Sequence, residues 1–304
     1  MKSIFSVVLI LISLTIQAQH SAPNRAKEQF DIYLDSLKAL SFKVINNPAE
    51  PERYNANYTM VKTLVSTLKL PNSFNFNFDS LKTISVLTSP DRRFKIFTWH
   101  VMNQDGSYRY YGTIQMNNPS GKLQMFPLVD HTHTYKKPED TTTTNQDWYG
   151  SQYYKIVPVL YNVRTPYYIL LGWKGNNVKS TKKVIEVLSF KDNKANFGMS
   201  VFEGDKERTG KKRIVYEDNR QVSFMMNYLP KEGTIVFDHL APPDPKLADK
   251  YELYGPDMSY DGYKLINGRW KYVSDLELKN PPSVTDQEYN DPKKPSKKAV
   301  NKLN

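Results

Sequence analysis

Two Asp-His segments hold the residue types best suited to chemistry: Asp130-His131-Thr132-His133 and Asp238-His239. In extended backbone, side chains alternate, so His131 and His133 would project to one side of a strand. Neutral imidazoles together with carboxylates are ligands for zinc or iron. The set His131, His133, Asp238 and His239 is therefore the candidate metal centre, with Asp130 as orienter or base, and it would serve a metal-dependent hydrolase. The competing reading is structural: His239 packs under the proline corner at 241–245, while His131 and His133 end a strand beside a polar loop.

A second candidate is Asp257-Met258-Ser259-Tyr260-Asp261-Gly262. Oxygen donors at alternate positions followed by glycine match the first half of a calcium loop, so Asp257 and Asp261 are candidate calcium ligands. The twelfth position, where a bidentate acid is required, is Gly268, which rules out a complete helix-loop-helix site. Turn chemistry explains the same residues without an ion: Asp257 would cap a turn after Gly255-Pro256, and Asp261-Gly262 would form another.

Other catalytic signatures are thin. Ser180-Thr181-Lys182-Lys183 fits the bare Ser-x-x-Lys pattern of acyl-serine enzymes, but the partner motifs are missing. The chain has no Gly-x-Ser-x-Gly elbow, no His-Glu-x-x-His helix and no phosphate-cradling glycine loop. Aromatics are plentiful: four tryptophans, and the doublets Tyr110-Tyr111, Tyr153-Tyr154 and Tyr167-Tyr168. A strand sends the two rings of a doublet to opposite faces, so one can fill a core while the other lines a surface. Trp99, Trp173 and Trp270 read as core. Trp148, beside a polar loop, is the candidate for exposure and for stacking on a sugar.

The elements that must position these residues fall into two regions. In 26–44, Phe30, Tyr33, Leu34, Leu37 and Leu40 recur at three- and four-residue intervals, and 52–70 repeats the pattern before Pro71 stops it. Both are amphipathic helices. From Leu81 onward the period becomes that of strands, punctuated by turn dipeptides. Asp105-Gly106 and Asn267-Gly268 suit tight hairpins, and turns are also expected at 118–121, Asp192-Asn193, Asp218-Asn219 and Glu232-Gly233. The stretch Thr134 to Asp147 has no apolar periodicity and reads as an exposed connection. The expected fold is mainly β, an antiparallel meander forming a sandwich or an irregular propeller-like domain, preceded by two N-terminal helices. No repeat of regular period supports a full propeller.

The ends set the compartment. Met1 and Lys2, the apolar run Ile4 to Ile16 and the small-residue site before Gln19 read as a secretory signal peptide over 1–18. The run is too short for a transmembrane span, and no later window is apolar enough for one. The organisation is then signal peptide 1–18, helical segment 19–72, β domain 73–280 and basic tail 281–304. The chain has no cysteine, which excludes a lipidated N-terminal Cys, disulfides, thiol catalysis and Cys-ligated zinc together.

Formal charge is +11, which favours anionic surroundings such as envelope glycolipids or acidic glycans. Nucleic acid is not expected as a partner, because the basic residues are scattered and the chain reads as exported. The blocks SPDRRFKIFTW, YYILLGWKGNN, IVFDHLAPP, YGPDMSYDGY and GRWKY, spread over Ser89 to Tyr272, resemble those of uncharacterised exported proteins of Bacteroidetes-type bacteria. The resemblance implies an exported β-rich protein in the periplasm or at the cell surface and carries no activity. The expected role is a non-catalytic binding or envelope-associated protein that contacts anionic or glycan surfaces. The alternatives are the hydrolase above and calcium-stabilised adhesion.

Overall fold

The computed structural model describes residues 25–204 and 207–278. The signal peptide read at 1–18 and the basic tail read at 281–304 lie outside the described residues. Two helices come first: α1 (25–46) and α2 (Glu50–Leu68). In α1, Phe30, Leu37 and Val44 are buried at seven-residue spacing; in α2, Ala56, Met60, Leu64 and Leu68 are buried at four-residue spacing. Each set makes one apolar stripe, and the two stripes share a cluster with Phe97, Trp99 and Val101. Glu50, Pro51 and Glu52 open α2, where a ring-fixed φ and negative charge both suit a helix N-terminus. Buried Arg53 donates to the carbonyls of Asn47, Pro48 and Met102, which ties the helix junction to the sheet below.

Strands β1 (Ser85–Thr88), β2 (Phe94–Met102), β3 (Tyr108–Met116) and β4 (Met125–Val129) form an antiparallel meander. Next come β5 (Thr143–Thr144), β6 (Gln152–Val159), β7 (Tyr167–Lys174), β8 (Ser180–Lys191) and β9 (Lys194–Phe197), which make a second sheet in the order β5-β9-β8-β7-β6. After β10 (Phe202–Glu203), which leaves for the third sheet, β11 (Ile214–Asn219) returns to pair with the first half of β8. The third sheet has the order β10-β15-β14-β13-β12, built from β12 (Met226–Leu229), β13 (Thr234–Ala241), β14 (Gly255–Ile266) and β15 (Arg269–Val273). Its β10–β15 pair is parallel; the other strand pairs are antiparallel.

The sheets stack face to face. In β2, Phe97, Trp99 and Val101 face the helices, while Phe94 and Ile96 face the second sheet. In β7, Tyr168 and Leu170 face the first sheet, while Tyr167, Ile169 and Leu171 face the third. Alternation across a pleated strand produces both results. The second sheet is therefore covered on both sides, and six consecutive residues of β7, from Tyr167 to Gly172, are buried. Among the described residues the order of layers is helices, sheet, sheet, sheet, with no closed barrel: mainly β, preceded by two helices.

Turn chemistry lies where backbone geometry requires it. Asp192-Asn193 and Asn267-Gly268 are two-residue hairpin loops with positive φ at both positions, 52° and 54° in the first, 50° and 74° in the second. Asp218-Asn219 is a correction to the sequence reading. It does not turn but extends β11, opposite Thr181 and Ser180, and the turn comes two residues later. Pairing with β8 and the Thr181 hydroxyl on the Asp218 carboxylate satisfy this segment as a strand.

Candidate functional site

A cleft of about 590 Å³ opens where the second and third sheets meet. One wall is the segment 136–140, in the first half of the sequence excursion expected to be a plain exposed connection. Two short 3-10 turns, Thr132–Thr134 and Pro138–Asp140, fold it back onto the sheet. Its anchor is Arg213, fully buried, whose guanidinium donates to the carbonyls of Pro138 and Thr141 and forms an ion pair with Glu186. Glu139 completes the attachment by accepting the Val215 N–H at 2.9 Å. Burial raises the pKa of that carboxyl against the opposing pull of the Val215 N–H.

The opposite wall comes from β13, β14 and β15. Along β13, Ile235 and Phe237 point into the core, and His239 continues their row to the cleft. The register with β14 shifts between Asp238 and Leu240, whose partners are Tyr260 and Pro256. The extra β14 residues bulge outward at Met258, which has φ +74° and is 95% exposed. Such bulges interrupt a ladder and re-aim side chains. Here the bulge lies opposite His239.

The His239 Nδ1 is 2.7 Å from Asp261 Oδ2, and the Tyr272 hydroxyl donates to the same oxygen at 2.6 Å. Asp261 is buried on the sheet's inner face, and its second oxygen accepts the Asp275 N–H at 3.3 Å. This carboxylate fixes the ring through Nδ1, and the half-exposed imidazole keeps Nε2 at the cleft surface, 3.9 Å from Asp257 Oδ2. Asp257 caps Ser259 through its N–H at 3.0 Å and its hydroxyl at 2.7 Å. Although burial works the other way, these bonds hold the Asp257 pKa below its ordinary value.

Five tyrosines line the cleft: Tyr149, Tyr216, Tyr251, Tyr254 and Tyr272. Tyr251 and Tyr254 sit on the 3-10 turn Tyr251–Leu253 and its end, their ring centroids 5.1 Å apart, and Tyr251 is 48% exposed. Salt bridges cross the floor and rim: Lys182 to Glu217 at 3.1 Å and Lys211 to Asp140 at 2.6 Å.

The two groups of sequence candidates are rearranged rather than confirmed. His131 precedes a 3-10 turn and His133 lies within it, neither on a strand; their rings are 6.2 Å apart, His133 is exposed, and His131 Nδ1 is buried without a hydrogen-bond partner. Asp130 is a structural cap that accepts from the N–H groups of Tyr110, Thr132 and Gly150 and from the Thr132 hydroxyl. Asp238 accepts the Met225 N–H at 2.6 Å. Among the described residues, no three or more His, Asp or Glu side chains gather as a metal-holding group. The structure instead joins His239, from the metal set, to Asp257 and Asp261, from the calcium pair, in one acid-imidazole cluster.

Trp148 is a correction. It is 0% exposed, not a surface platform. Its backbone N–H donates to the Val129 carbonyl, its own carbonyl accepts from His131, and Nε1 donates to the Tyr153 hydroxyl at 2.8 Å. The end of the polar excursion zips alongside β4 and carries the indole inside. Tyr167 and Tyr168 are a second correction, since the doubly covered sheet buries both rings. Ser180 of the Ser-x-x-Lys match is buried, with its hydroxyl on Glu217, and it is not placed against Lys183, which strand alternation sends to the other face.

Sequence reasoning missed Glu139, Arg213, Glu186 and the tyrosine rim. The available signal was a lone acid within the apolar run KVIEVLSF. An ionisable residue on a strand covered on both faces needs a buried partner. Among the described residues, no helix is long and apolar enough to cross a membrane. No protein-family model, curated protein or solved structure matches this chain.

Proposed function

We propose that the protein is an exported binding protein of the cell envelope, in the periplasm or at the surface, and that it holds a glycan or an anionic envelope component in the cleft between the second and third sheets. The observation that carries this reading is the cleft itself. It combines a volume suited to a small ligand, a rim of tyrosines and a few fixed polar groups. Tyrosine offers a flat apolar face with a polar tip, which suits ligands that present both C–H surfaces and hydroxyls. The chain's positive charge supports residence among anionic envelope polymers.

Cosedimentation of the purified chain with isolated cell envelopes tests the reading. The Tyr251→Ala, Tyr254→Ala double variant is expected to stay in the supernatant while keeping its thermal transition. Retention equal to that of the unaltered protein would sink the proposal.

Hydrolysis in the same cleft is a second reading, favoured by the His239–Asp261 contact. An imidazole oriented by a buried carboxylate can take a proton from an attacking water. If reducing ends or acyl groups are not released from envelope polysaccharide in a His239-dependent way, this reading fails.

A further inference from the structure

Taking the cleft to be the ligand site, as proposed above, we infer that it selects an uncharged, hydroxyl-rich ligand, a neutral saccharide, and not the anionic polymers that the chain's overall charge suggests. The inference rests on where the charge lies. The whole chain carries +11. The cleft does not share this surplus. Among the described residues, its basic lining residues are Lys136, Lys137, Lys182, Arg208 and Lys211. Its carboxyl lining residues are equal in number: Glu139, Asp140, Glu207, Glu217 and Asp261. Counted by formal charge, as for the whole chain, the described lining is balanced.

The basic groups are also committed. Lys182 is held by Glu217 at 3.1 Å, Lys211 by Asp140 at 2.6 Å, and the Arg208 guanidinium lies 4.6 Å over the Tyr216 ring. Lys136 and Lys137 are exposed at the outer edge. An anionic ligand would have to break these pairs and would leave carboxylates facing it, at a cost that no unpaired cation among the described floor residues offsets. A saccharide requires no such rearrangement. Its hydroxyls can exchange bonds with Glu139 and with His239 Nε2, the ring atom not taken by Asp261. Its C–H faces can lie on Tyr251 and Tyr254, as apolar sugar faces do on aromatic rings.

Affinity electrophoresis of the full chain tests the assignment, with three probes: a neutral β-glucan, a neutral α-glucan and polygalacturonate, each at low and high salt. A neutral glucan is expected to retard the protein equally at both salt concentrations, because no ion pairs form on binding. Tyr251→Ala should weaken that retardation roughly tenfold, and Tyr251→Phe, which keeps the ring, should restore it. His239→Ala should weaken it as well.

Retardation by polygalacturonate alone, lost at high salt yet sensitive to Tyr251→Ala, would overturn the neutral assignment and leave the cleft as the site. Retardation by any probe that ignores both Tyr251→Ala and His239→Ala would overturn the cleft reading itself. Failure of both neutral glucans to retard the unaltered protein would overturn the inference.

Discussion

Arg213 and Glu186 meet at 2.7 Å with neither side chain exposed, and the same guanidinium holds the backbone of 138–141. The cleft wall is thus attached to the middle of a doubly covered sheet by one buried charge. Removing either partner leaves the other uncompensated. Glu186→Gln is expected to cost about 3–5 kcal/mol in denaturant unfolding. Limited proteolysis should then cut within 136–142, where the unaltered protein resists. Replacing both partners with apolar residues should recover part of the stability but not the protease resistance.

Lys174 gives the stability a pH slope. Its ammonium is buried over the rings of Tyr149 and Tyr110 and donates to the Gly150 carbonyl and the Thr132 hydroxyl. Burial lowers its pKa to about 7, although Asp130 opposes the shift. The unfolded value is about 10.4, so between about pH 7 and pH 10 the unfolded chain binds more protons and stability rises with pH. Below pH 7 both states are charged and the cost of burial is felt in full. Between about pH 6.5 and 9.5, urea unfolding should gain on the order of 2–4 kcal/mol relative to Lys174→Met. Lys95, lowered to about 8 by burial, acts with the same sign in both proteins and drops out of the difference.

Trp148 is expected to matter for folding and not for the ligand. Trp148→Ala empties a fully buried site and should cost about 3–5 kcal/mol. Trp148→Phe keeps most of the bulk but leaves the Tyr153 hydroxyl without its donor, and should cost about 1–3 kcal/mol. Thermal melts measure both. Glucan retardation of the Phe variant should match that of the unaltered chain.

The Asn267-Gly268 hairpin tolerates no added carbon. A Cβ at Gly268 would overlap Val163 Cγ1 and crowd the Asn162 carbonyl, in backbone already at φ +74°. The Gly268 carbonyl also accepts the Tyr167 hydroxyl at 2.8 Å, which joins the hairpin to the second sheet. Gly210→Ala, where only the φ is strained and no atom is near, should cost about 1–2 kcal/mol in urea unfolding, and Gly268→Ala about 1–3 kcal/mol more, because the clash adds to the same strain.

Local rules made the elements legible. The stripes of α1 and α2, the Asn-Gly and Asp-Asn hairpins and the alternating strands are all written in near neighbours. What could not be read was which distant residues meet. Asp261 looked like half of a calcium loop because its turn neighbours suggested one, but its partners are His239 and Tyr272, on other strands. Trp148 looked exposed because its sequence neighbours are polar, yet β4 and Tyr153 enclose it. Glu186 was legible only as a misfit in an apolar strand, and Arg213, which follows Lys211 and Lys212 just before β11, had no such signal, since nothing nearby in sequence says that each answers the other. Register and sheet stacking decide these pairs, and both are long-range properties.

Strand β15 lies between β14 and β10, and its Trp270 stands opposite Phe202. During synthesis, the helices and the first two sheets have all their strands well before Arg269 emerges, whereas β10 must wait for it. Early-emerging regions generally fold first. A premature stop before Arg269 would thus leave a product with two intact sheets, a β10 without its partner and no Tyr272 to hold Asp261. Such a product could persist in the cell while lacking the cleft, so its abundance alone would not report the loss.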